Sequence, residues 1–78
     1  MRPLVYRGFV MNEDVVNAGI RKFLKKVGVT SQQEIEKTLR KAVEAGRLDG
    51  SGPLKVRMTL EIAGFGLVHT VYDEIALE

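Results

Sequence analysis

The chain contains no cysteine and no tryptophan, one histidine and two prolines. Without cysteine, disulfides cannot reinforce a small core and thiolates cannot hold zinc or iron–sulfur clusters, while the redox compartment stays open. A single histidine leaves any acid–base chemistry resting on His69 alone. Long apolar runs are also missing: none approaches the roughly 20 residues of a membrane span. The first ten residues are too short and too poor in apolar side chains for a secretory signal, so no membrane is expected and the cytoplasm is the default location. What is present, 78 residues with 45% hydrophobic and 28% charged, has the balance of one soluble globular domain. So short a chain buries only roughly 60% of its unfolded surface, so its stability is expected to be modest and a partner chain would help.

The basic residues are unevenly placed. The net charge of +2 is supplied by Arg2 and Arg7; without residues 1–10 the count is 12 − 2 = 10 basic against 10 acidic side chains. Long-range attraction to nucleic acid therefore does not follow from composition, although Arg21 to Arg57 is locally rich in Lys and Arg.

Residues 1–10, MRPLVYRGFV, precede a second methionine, and beyond it the sequence reads as a helix start. Asn12 is a good N-cap, and Glu13 and Asp14 set negative charge against the helix dipole. Met11 is accordingly taken as the initiator of an 11–78 domain. Residues 1–10 are read as a disordered extension, the alternative being a short strand through Leu4, Val5 and Tyr6.

The periodicity then predicts two helices. In the first, about 13–27, Val16, Ile20, Phe23, Leu24 and Val27 line one face, and Gly28 ends the helix with Val29 behind it. Gly19, costly in a helix interior, is expected to mark a close approach by another element. The second helix, about 31–46, opens on capping signals in two registers, Thr30 with Gln33 or Ser31 with Glu34. It buries Ile35, Leu39, Ala42 and Val43, and stops at Gly46.

After a compact loop at Asp49-Gly50-Ser51-Gly52-Pro53 the period changes to two. Leu54, Val56, Met58, Leu60 and Ile62 alternate with Lys55, Arg57, Thr59 and Glu61, as a half-buried strand does. Ala63-Gly64-Phe65-Gly66 is the turn. A loop of two or four residues places Leu67, His69 and Val71 on the same face, and one of three residues would place Val68, Thr70 and Tyr72 there. The fold expected is α+β: two consecutive helices packed on one face of an antiparallel β-hairpin, about 54–62 and 67–77. With a two-residue loop Leu54 would lie opposite Asp73, leaving Ile75 and Leu77 unpaired and available for self-association.

Catalytic signals are weak. Asp73 lies four residues beyond His69, about 13 Å along an extended strand and too far to orient the imidazole. No spacing supports a metal set, and the pairs Gly50/Gly52 and Gly64/Gly66 lack the strand–glycine-loop–helix setting of a phosphate site. Neither cofactor nor enzymatic activity is expected. The alternative is a winged helix-turn-helix, with Gln32, Gln33, Lys37 and Arg40 reading bases and Lys55 and Arg57 on the wing touching phosphates. The missing third helix, the neutral body and Glu34, Glu36 and Glu44 on the reading helix count against it.

The segments MNED (Met11 to Asp14), IRKFLKKVGVTSQQEIE (Ile20 to Glu36) and EIALE (Glu74 to Glu78) resemble a family of small uncharacterised bacterial proteins, mostly proteobacterial, known only as a domain of unknown function. The resemblance runs from Met11 onward and implies a stand-alone domain whose members begin at the methionine corresponding to Met11. It brings no activity, ligand or catalytic residue. The leading expectation is thus a non-enzymatic domain acting through protein contacts, a second copy included, with nucleic acid as the alternative partner.

Overall fold

The structure, a computed structural model, describes residues 4–6, 9–48 and 52–78. It divides into two compact units, Met1–Ala45 and Gly46–Glu78. The disorder expected at residues 1–3, 7 and 8 and the loop expected at residues 49–51 lie outside the described residues.

The first unit holds strands β1 (Leu4–Tyr6) and β2 (Phe9–Met11) and helix α1 (Glu13–Glu44). The strands pair antiparallel, with Val5 opposite Val10, and Leu4 to Tyr6 is the segment named as the alternative to disorder. Asn12 caps α1 as the sequence predicts. Its Oδ1 accepts from the amides of Asp14 at 3.1 Å and Val15 at 3.2 Å, with Glu13 and Asp14 in the first turn.

The expected pair of helices, 13–27 and 31–46, is one continuous helix of 32 residues. Gly28 does not terminate it, and Thr30 and Ser31 lie in its interior. The Thr30 hydroxyl donates to the carbonyl of Lys26 at 2.8 Å, with Val27 O 3.4 Å away, so the residue read as a cap is bonded back into the preceding turn. The magnitudes favour this outcome. Gly28 costs about 1 kcal/mol relative to alanine, and Thr30 and Ser31 several tenths each. A break would forfeit up to four helical hydrogen bonds across the junction, each worth roughly 1 kcal/mol net.

The apolar pattern also crosses the junction unbroken. Val16 and Val27, Ile20, Ser31 and Ala42, and Leu24 and Ile35 are each separated by eleven residues, or three turns. This spacing keeps the stripe nearly parallel to the helix axis. Gly46, with φ of 68°, supplies the left-handed residue just past the helix end, and the Ala45 amide reaches Lys41 O at 3.0 Å. The close approach expected at Gly19 is absent, since a Cβ built there meets nothing within 4 Å among the described residues.

The second unit is a hairpin of β3 (Leu54–Ile62) and β4 (Leu67–Ile75). The loop has four residues, Ala63 to Gly66, with Ile62 opposite Leu67. Gly64 and Gly66 take the positive φ values, 83° and 68°, that a side chain would resist. Because facing residues share a side of the sheet, one face carries Leu54, Val56, Met58, Leu60 and Ile62 with Leu67, His69, Val71, Asp73 and Ile75. Relative to the expected pairing of Leu54 with Asp73 the register moves by two. Leu54 therefore faces Ile75, and β4 ends at Ile75 instead of residue 77. On the opposite face the hydroxyls of Thr59 and Thr70 meet at 3.2 Å.

Candidate functional site: hairpin edges and helix stripe

The residues singled out for self-association have different settings. Ile75 is half-buried and paired with Leu54, so it is not the unpaired residue expected. Leu77 lies beyond the strand, where Gly52, Pro53, Ala76, Leu77 and Glu78 line a shallow depression at the open end of the hairpin. Nine consecutive residue pairs run without a bulge, and neither strand contains proline. Among the described residues of this unit, β3 and β4 are each hydrogen-bonded to the other strand alone, and the outer edge of each has no strand partner there.

The proposed nucleic-acid contacts are not brought into a reading head. Gln33, Lys37 and Arg40 follow helical spacing on one exposed side of α1, and Gln32 lies beside them. Lys37 is engaged with Glu34 at 3.2 Å, an exposed i,i+3 pair. A helix-turn-helix needs a separate preceding helix and a turn to present the reading helix, and residues 27–31 are helical throughout. Lys55 and Arg57 share the polar face of β3, where Arg57 stands opposite Tyr72.

His69 is exposed and faces Leu60 across the hairpin. The Asp73 carboxylate accepts a hydrogen bond from the Glu74 amide at 2.8 Å, a local turn-like contact. Among the described residues no group of three His, Cys, Asp or Glu side chains could hold a metal ion, and no helix is long and apolar enough to cross a membrane.

Sequence reasoning missed the helix stripe as one surface, because it was divided at Gly28. Ile20, Phe23 and Leu24 on that stripe are 49%, 49% and 54% exposed, while Val16, Val27, Ile35 and Leu39 are half-buried. The eleven-residue spacing across Gly28 was the signal that could have joined the halves.

These features define an α+β chain: a long capped helix followed by a regular antiparallel hairpin. Residues 11–78 match family DUF6494, a family of unknown function, and the chain belongs to it. Among curated proteins and among solved structures nothing matches the chain.

Proposed function

We propose that the chain is a non-enzymatic protein-contact domain, and that the β3–β4 hairpin is a surface on which it takes a second copy of itself. The observation that carries this is the pair of open hairpin edges, each nine residues long, free of proline and free of bulges. Long regular edges offer rows of backbone donors and acceptors to another strand, and natural proteins ordinarily shorten, charge or cover them. A two-stranded sheet is marginal by itself, so strand addition would also stabilise the unit. Ile75 and Leu77 sit at the open end, where an added strand would extend the apolar row begun by Leu54 and Val56. The exposed His69 and the locally bonded Asp73 support a non-enzymatic role. Binding of nucleic acid through a reading helix is not carried forward, because the turn it requires is helical.

Sedimentation equilibrium of the full chain over a wide concentration range is the test. A dimer that weakens in the Ile75→Lys variant is expected. A strict monomer at every concentration, or a dimer indifferent to Ile75→Lys and Leu77→Lys alike, would contradict the proposal.

A further inference from the structure

The two outer edges of the β3–β4 hairpin are unequal. Along β3 every second residue from Leu54 to Ile62 is apolar, without interruption. Along β4 the same face carries His69 and Asp73 between Leu67, Val71 and Ile75. A charge set into the apolar row of an edge strand discourages strand addition. The Asp73 carboxylate also accepts from the Glu74 amide at 2.8 Å, so a backbone donor of β4 is already engaged by a side chain. β3 is thus the more continuous of the two edges.

We infer, resting on the reading of the hairpin as a self-association surface, that β3 is the edge that pairs, and that it pairs antiparallel with β3 of a second copy about a two-fold axis at Met58. Charge selects this register. Residues directly opposite in an antiparallel pair share a face, so matching the apolar faces restricts the sum of opposing residue numbers to even values. A sum of 116 pairs all nine residues of the strand. It sets Lys55 of each copy against Glu61 of the other, and Arg57 against Thr59. On the apolar face Leu54 meets Ile62, Val56 meets Leu60, and Met58 meets itself.

The neighbouring registers lose either charge or length. A sum of 114 sets Arg57 against Arg57, and a sum of 112 sets Lys55 against Arg57; like charges directly opposite destabilise a pair. A sum of 118 keeps one kind of opposite pair, Arg57 with Glu61, but joins seven residues instead of nine. Pairing β3 with β4 of the next copy would leave an unpaired edge at each end and grow without closing. The β3 pair closes. It makes a four-stranded sheet in the order β4-β3-β3-β4, whose outer strands are those with His69 and Asp73 in their apolar rows. In that sheet Lys55 lies between Glu74 of its own hairpin and Glu61 of the second copy.

The absence of cysteine makes a single introduced thiol diagnostic. Met58 and Val71 stand directly opposite in the hairpin and are 46% and 50% exposed, so Met58→Cys and Val71→Cys are matched variants of the full chain. In the β3 pair the two Met58 positions lie about 5 Å apart, within reach of a disulfide, while the two Val71 positions lie three strand spacings apart, about 14 Å. In a glutathione redox buffer Met58→Cys is expected to form disulfide-linked dimers about tenfold faster than Val71→Cys, or more. Equal rates, or faster linking of Val71→Cys, would overturn the inference.

Charge exchange gives a second readout that needs no thiol. Glu61→Lys and Lys55→Glu are each expected to weaken association on the order of tenfold, because each sets like charges opposite one another at both ends of the β3 pair. Mixing the two variants in equal amounts sets opposite charges together again at both ends, as does placing both substitutions in one chain, and association is expected to recover in each case. No recovery would overturn the register. If sedimentation gives a dimer sensitive to Ile75→Lys while the thiol and charge results go against β3, self-association through the hairpin stands and the β3 pairing falls. A strict monomer at every concentration removes both.

Discussion

The Thr30 hydroxyl lies 2.8 Å from the Lys26 carbonyl, one turn back within the same helix. A threonine at a helix start would instead accept from amides two or three residues ahead, as Asn12 does. Thr30→Val keeps the branched shape and removes only this back-bond. It is therefore expected to change stability by less than about 0.5 kcal/mol, against roughly 1 kcal/mol for losing a true N-cap. Urea denaturation of the pair decides between them.

Gly28 gives a prediction of opposite sign. It lies inside α1, and a Cβ built on it meets nothing within 4 Å. Gly28→Ala is expected to stabilise the chain by about 0.5–1 kcal/mol. If Gly28 were a left-handed helix terminus, the same substitution would destabilise.

Asn12 is the cap that the structure does contain, so Asn12→Ala is expected to cost about 1 kcal/mol. Asn12→Asp should retain most of the stability, because its carboxylate can accept the same two amides and favours the positive end of the helix dipole. Thermal denaturation followed at 222 nm reads both variants.

Thr59 and Thr70 form the cross-strand hydroxyl contact of the hairpin at 3.2 Å. A double-mutant cycle with Thr59→Val and Thr70→Val should return a coupling of roughly 0.2–1 kcal/mol. A coupling indistinguishable from zero would place the two residues out of register.

β1 and β2 are paired over three residues each, and pairing so short is marginal in water. Amide exchange at Val5 and Val10 is expected to be fast compared with the centre of α1. Protection equal to that of Ile35 would show that the small hairpin is a stable part of the first unit.

Much of the fold was legible in particular residues. Asn12 with Glu13 and Asp14 marked the helix start, Gly46 marked its end, and the alternation from Leu54 to Ile62 marked β3. The loop glycines Gly64 and Gly66 bounded the turn, but its length was not written in composition. A turn that sets Ile62 opposite Leu67 moves Ile75 from an unpaired tail to a position opposite Leu54.

The larger error came at Gly28, Thr30 and Ser31. Each favours a helix boundary, and together they outweighed the apolar positions that continue across them. Local propensities of about 1 kcal/mol lost there to the hydrogen bonds of a continuous backbone. The candidate surface was legible only in part, because the stripe becomes one surface only when the two helices are joined.

Continuity of α1 from Glu13 to Glu44 is what joins the apolar positions on either side of Gly28 into one stripe. Backbone carbon chemical shifts of the full chain in solution test it residue by residue. Unbroken helical Cα shifts through Val27, Gly28, Val29, Thr30 and Ser31 are predicted. A return to coil values at Gly28–Thr30, with helical values resuming beyond Ser31, would contradict the account.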